Sequence, residues 1–172
     1  VMESIARAKK RGANILGYIS GYGTSCDGED RINCASDGKQ LARAINNALI
    51  DAQINVDEIN YISLDGLAID LWDNSEINAL KLVFGKRLKD IPISCPKSMF
   101  GNLLGASGAV DMITTILAME HNLVPITLNL DAPSVGGLNY VTKAAKEYKI
   151  DKALIISRGR GGINAVLIVE KA

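Results

Sequence analysis

Lys97, Asn102 and the glycines at 101, 105 and 108 form the stretch whose residue types and spacing bear most directly on chemistry. A carboxamide at position 102 donates and accepts hydrogen bonds but does not titrate near neutral pH, as an imidazole does. The small residues from Gly105 to Ala109 allow close packing and leave the first backbone N–H groups of a following helix exposed. Cys95 lies two residues before Lys97, and an ammonium that close lowers a thiol pKa. No histidine base is near it in sequence, so a buried structural thiol is the preferred reading.

Other constellations read as structure. Cys26, Cys34 and Cys95 are irregularly spaced and, with the single histidine His121, make no zinc pattern. No metal and no cofactor is expected. Reduced cysteines suit a cytoplasmic protein. His121 falls at the end of an apolar helix, where an imidazolium meets the helix dipole favourably. Arg158-Gly159-Arg160-Gly161-Gly162 occurs once, between two apolar strands, and reads as a hairpin turn rather than an RNA-binding element. No helix follows Gly159-x-Gly161, so it is no dinucleotide fingerprint. Nineteen Lys and Arg balance nineteen Asp and Glu, and aromatics are 5%. That balance gives no case for nucleic acid or an anionic membrane as partner. No apolar run reaches the ~20 residues a membrane helix needs.

The elements that must position these residues alternate between strand and helix. Met2 to Arg11 reads as a basic helix already under way, as in the second part of something larger. Asn14 to Tyr22 has strand character, and Cys26 to Gly38 is a polar loop in which Asp37 is placed to cap the next helix. Leu41, Ile45, Ala48, Leu49 and Ala52 recur at helical spacing. Tyr61 to Leu64 and Ile91 to Ser94 are short strands. Between them, Asp73 with Glu76 resembles a capping box for a short helix that Gly85 ends. Leu103 to Met119 is apolar nearly all round and predicts a helix buried on most sides. Two strands, Ala153 to Ser157 and Ala165 to Val169, close the pattern as a hairpin. The 172 residues read as one domain, 1–172, of α/β class.

The run from Lys97 to Ala109 resembles the K-S-x-x-G-H-x-x-G-A-A-G segment of the β-ketoacyl-ACP synthases, with Asn102 at the histidine. Four further segments are similar, in family order. Arg7 to Ala13 resembles A-x-A-R-G-A. Asn60 to Gly66 resembles Y-I-x-A-H-G-T, with Asp65 at the histidine. Asn129-Leu130-Asp131 resembles N-x-D, and Gly159 to Asn164 resembles G-F-G-G-T-N. The resemblance implies a thiolase-like layered α/β/α fold, of which this chain would be the second, C-terminal half. It implies that the nucleophilic cysteine belongs to the first half. It also implies catalytic positions at Asp65 and Asn102, both replaced, and at Lys97, retained. Lys97 would be paired with Asp111 on the following helix. An acyl-chain wall is implied at Phe100 and the turn Gly159, Arg160, Gly161 and Gly162. Arg160 replaces the family's aromatic gate and is expected to pair with Asp65 or to face a partner subunit.

In the family, two histidines donate to a thioester oxygen while a malonyl group loses CO₂. Removing one such donor costs about 10²–10³ in rate, and an ionised Asp65 would repel an enolate. The double replacement resembles the chain-length factors, non-elongating relatives that pair with an active ketosynthase. Asp65-Gly66 with Asn74-Ser75-Glu76 is similar to that subgroup's pattern. The implied partners are acyl carrier protein, acyl thioesters, and an active ketosynthase subunit or a second copy. A divergent acyltransferase of the same fold, or a carrier-protein-binding scaffold, is the alternative. The run Lys86-Arg87-Leu88-Lys89 reads as a solvated turn, with carrier docking as its rival.

Overall fold

Hydrophobic alternation along the last hairpin sets the layers. The computed structural model describes residues 1–133 and 135–172. Strand β6 (Lys152–Gly159) and strand β7 (Ile163–Lys171) pair antiparallel, and β7 pairs on its other edge with β1 (Gly17–Cys26). Strands β2 (Tyr61–Ser63) and β3 (Ile93–Ser94) run parallel to β6, giving the order β1-β7-β6-β2-β3. Successive side chains of a strand face opposite ways. Leu154 and Ile156 therefore enter one core with Leu41, Ile45 and Leu80, while Ala153 and Ile155 enter another with Met112 and Met119.

The first core lies under helices α2 (Lys39–Ala52) and α3 (Asp70–Phe84). The second lies under α5 (Ser107–His121). A short basic helix, α1 (Ile5–Lys10), precedes β1, and the single turn α4 (Lys97–Phe100) follows β3. A small second sheet, β4 (Leu123–Val124) with β5 (Lys146–Glu147), was not anticipated from periodicity, because two-residue strands carry none.

Several boundaries differ from expectation. The capping place before α2 is taken by Gly38 at φ 69°, and Asp37 accepts from the Lys39 N–H at 3.0 Å beside it. A Cβ on Gly38 would lie 2.4 Å from the Ser75 carbonyl oxygen of α3, which is why glycine stands there. Helix α3 begins at Asp70, so Asp73 and Glu76 are not a capping box. Helix α5 begins at Ser107 rather than Leu103, and Leu104 is 84% exposed. Ile113 and Leu117 are also exposed, so α5 is buried on the sheet side only.

Helix α2 lies hard against β1 where Gly23 has no side chain. A Cβ on Gly23 would sit 2.0 Å from the Ala44 carbonyl oxygen and 2.6 Å from the Ala48 nitrogen. Both obstacles are backbone and cannot rotate aside. Gly23→Ala is therefore expected to destabilise the fold by about 3 kcal/mol through overpacking, read as a lower urea midpoint. An unchanged midpoint would mean that α2 does not rest on β1 in this way.

Candidate functional site

Strands β2 and β3 are parallel, with Ser63 beside Ser94, so their carboxyl ends open at one level. Chain leaving β2 gives Asp65 and Gly66. Chain leaving β3 gives Cys95 and, at the start of α4, Lys97. The Lys97 ammonium is buried and donates to the Asp65 carbonyl oxygen at 3.0 Å and to Asp65 Oδ1 at 2.5 Å. It also lies 3.4 Å from Asp111 Oδ2 on α5. The expected Lys97–Asp111 pair is thus a triad in which Asp65 is the nearer partner. Burial by itself lowers the Lys97 pKa, but the charges of Asp65 and Asp111 outweigh it and hold the ammonium protonated. Burial also pushes the Asp111 carboxyl up against the pull of Lys97. The Asp111 oxygens, Asp65 Oδ2 and the hydroxyls of Ser63 and Thr115 are buried with no hydrogen-bond partner among the described residues.

The loop after β2 is held by α3. Glu76 accepts from the Asp65 N–H at 2.8 Å and the Gly66 N–H at 3.1 Å, and Asp73 accepts from the Leu67 N–H at 2.9 Å. This task explains the acidic start of α3 that resembled a capping box. Burial, and then the charge of Asp65, raise the Glu76 pKa from its ordinary 4.5 to about 7, against the two backbone N–H groups. A carboxyl that keeps its proton longer folded than unfolded stabilises the fold in acid, and that stabilisation is lost as pH rises through the folded value. The urea midpoint is therefore expected to fall between about pH 5 and pH 7 and then level off, and Glu76→Gln is expected to flatten this slope. A midpoint that rises over that interval would overturn the assignment.

Cys95 does not behave as its neighbour suggested. Its thiol is buried against the Asp65 and Gly66 carbonyls, and burial, with the charge of Glu76, pushes it up to about 12. The ammonium of Lys97 pulls it down but is outweighed. Cys95 is a structural thiol.

Asn102 stands at the rim of a cavity of about 360 Å³. Its Oδ1 accepts from the Leu104 N–H at 2.9 Å and from the Ser107 hydroxyl at 3.0 Å. Ser107 Oγ in turn accepts from the Leu103 N–H at 3.0 Å. A backbone N–H can only donate, so the oxygen of the carboxamide is identified. Asn102 Nδ2 is the end left over, with no partner among the described residues. Glu76, Asp73, Lys97 and Thr127 share the cavity with Leu67, Leu128, Leu130 and Tyr140.

The hairpin turn lies elsewhere. Gly159, Arg160, Gly161, Gly162 and Phe100 do not line this cavity, and neither does Asp111. The turn is clasped by the loop after β1: Gly161 N–H donates to the Ile32 carbonyl at 3.1 Å, and Asp27 N–H donates to the Gly162 carbonyl at 2.9 Å. Arg160 is exposed and does not pair with Asp65, whose carboxylate is taken by Lys97. The buried arginine is Arg158. Its guanidinium donates to Asn164 Oδ1 at 2.9 Å and the Trp72 carbonyl at 3.0 Å, lies 3.7 Å from Asp27, and covers the Trp72 ring at 4.8 Å. Strand alternation carried this signal, since Arg158 follows Leu154 and Ile156 on one face. Glu76 and Ser107 were likewise not singled out as site residues. Ser107 was detectable as the serine in a run whose family pattern has alanine. In the run at 86–89, Arg87 is spent on the carbonyls of Val56, Asp57 and Ile59, which removes it from any basic patch.

A family profile described as "Beta-ketoacyl synthase, C-terminal domain" matches residues 16–131. The chain belongs to that family. Its thiolase-like α/β fold is that of ketosynthase C-terminal domains. One solved relative is a type II polyketide synthase acyl-carrier protein in complex with its ketosynthase bound to the hexaketide. The chain is 35% identical to it with a TM-score of 0.94, over 99% of this chain and 42% of that one. The ishigamide ketosynthase/chain length factor is 33% identical with a TM-score of 0.91, over 99% and 41%. Among curated β-ketoacyl synthases, the 3-oxoacyl-[acyl-carrier-protein] synthase 2 of Coxiella burnetii is 34% identical over 99% of this chain and 42% of its own length. The chain therefore spans about two fifths of the length of the ketosynthases it matches. Among the described residues, no helix is long and apolar enough to cross a membrane.

Proposed function

We propose that residues 1–172 are the C-terminal domain of a non-elongating ketosynthase homologue, of chain-length-factor type, in fatty-acid or polyketide synthesis. The observation that carries this reading is the Asp65–Lys97 ion pair at 2.5 Å. A carboxylate occupies the place of a donor, and the adjacent cation is consumed in neutralising it. Asn102, at the other histidine position, donates a hydrogen bond and cannot take up a proton. Neither position relays protons or stabilises an enolate as paired imidazoles do. The partners in this reading are an active ketosynthase subunit, or a second copy, together with acyl carrier protein and acyl thioesters. Phe100 and the turn Gly159 to Gly162 face the acyl chain in the assembled protein. Three free cysteines suit a reducing, cytoplasmic setting.

The test is CO₂ release from malonyl-acyl carrier protein by the intact protein, alone and with its cognate ketosynthase. No release above background alone, with release restored by the partner, is the expected result. Release alone at a rate ordinary for a ketosynthase would sink the proposal and favour the second reading. That reading is a divergent acyltransferase, supported by the retained Lys97 and the open cavity beside it.

A further inference from the structure

We infer that the cavity under Asn102 receives the neutral carbonyl end of an acyl thioester and turns away a thioester bearing a free carboxylate, and that Ser107 sets this preference by fixing the Asn102 carboxamide. The inference rests on the reading of the chain as a ketosynthase relative that meets acyl thioesters. It goes beyond that reading in assigning a binding role to Asn102, a positioning role to Ser107 and a charge rule to the cavity.

Charge pairing decides the rule. An ammonium has three N–H donors. Two of those of Lys97 go to the Asp65 carbonyl oxygen and Asp65 Oδ1, and its charge is paired with the carboxylates of Asp65 and, at 3.4 Å, Asp111. No cation lining the cavity is left free for a ligand carboxylate among the described residues. Two acidic side chains, Asp73 and Glu76, line it instead, and the Asp73 carboxylate, held on the Leu67 N–H, repels a ligand carboxylate as a like charge. A neutral carbonyl faces no such penalty and meets a donor in Asn102 Nδ2. The walls of Leu64, Leu67, Leu128 and Leu130 suit the aliphatic part of the same ligand.

Ser107 makes the donor reliable. A carboxamide free to flip would present oxygen and nitrogen to the cavity in turn. Here Oδ1 is held twice, by the Leu104 N–H and the Ser107 hydroxyl, and that hydroxyl is itself oriented by the Leu103 N–H. Alanine at 107 would remove one of the two bonds and free the amide.

The experiment measures binding to the intact protein by calorimetry with two probes. One is octanoyl-pantetheine with an amide in place of the thioester, and the other is its malonyl counterpart. The octanoyl probe is expected to bind at least about tenfold more tightly than the malonyl probe. Asn102→Ala is expected to weaken the octanoyl probe about tenfold, and Ser107→Ala about threefold, with Ser107→Thr restoring most of the loss. Asp73→Asn is expected to improve the malonyl probe and leave the octanoyl probe unchanged. The Asn102 side-chain amide signals should move on octanoyl binding in the native protein and move less in Ser107→Ala, which a merely structural serine would not produce. Equal affinity for the two probes, preference for malonyl, or no octanoyl binding would overturn the inference. These outcomes are read separately from CO₂ release, so a protein that elongates yet shows the preference would sink the proposed function and leave this inference standing.

Discussion

Lys97→Met is expected to destabilise the folded chain by about 3–5 kcal/mol, the usual result of stripping a buried ion cluster of its paired cation. The two carboxylates it serves differ in what they keep. Asp65 loses its nearest partner, and its Oδ2 already has none. Asp111 has no hydrogen bond to fall back on. Protonation offers an escape, because burial already favours the neutral form of Asp111. The loss should therefore be larger at pH 8 than at pH 5, where a proton replaces the ammonium at less cost. Adding Asp65→Asn and Asp111→Asn to Lys97→Met should recover much of the stability, since the neutral set leaves no bare charge. Urea unfolding at the two pH values checks all of this. A loss below about 1 kcal/mol at pH 8 would place the triad in solvent rather than in the core.

Arg158→Leu is the second large effect, expected at about 3 kcal/mol. It is the smaller of the two because Asp27 keeps other donors. Asp27 Oδ2 accepts from the Ala35 N–H at 2.8 Å, and Oδ1 accepts from Asn164 Nδ2 at 2.8 Å. The Trp72 carbonyl and the Trp72 ring face lose their cation outright. Arg160→Leu, two residues away and exposed, should change stability by less than about 0.5 kcal/mol. The pair of substitutions separates the two arginines of the turn by role, and limited proteolysis at 26–38 should quicken only in Arg158→Leu. Equal effects from both would contradict the burial described for Arg158.

Much of this fold was legible because its elements are long and periodic. The face of α2, the hairpin of β6 and β7, and the glycine stop at Gly85 follow from spacing alone. What stayed hidden depends on contacts between distant segments. No local pattern says that Asp73 and Glu76 reach back to residues 65–67, since the same spacing serves a helix cap. The partner of Asp65 was misjudged for a similar reason. Arg160 and Lys97 are both remote from Asp65 in sequence, and the parallel pairing of β2 with β3 brings Lys97 alongside. Asn102 and Ser107 were both in view, but their hydrogen bond depends on α5 starting at 107, and apolar residues at 103 and 104 pointed to an earlier start.

The place of β7 in the sheet bears on how the chain is made. It lies between β1 and β6, and its Lys171 pairs with Gly17, near the opposite end of the sequence. During synthesis β1 emerges well before β7 and waits for that neighbour until residues 163–171 have left the ribosome. Through that interval β1 and β6 carry open edges that invite pairing with other chains. Such distant pairing also belongs to the slow class of folding topologies. Nascent chains of this sequence are therefore exposed to edge pairing until β7 closes the sheet.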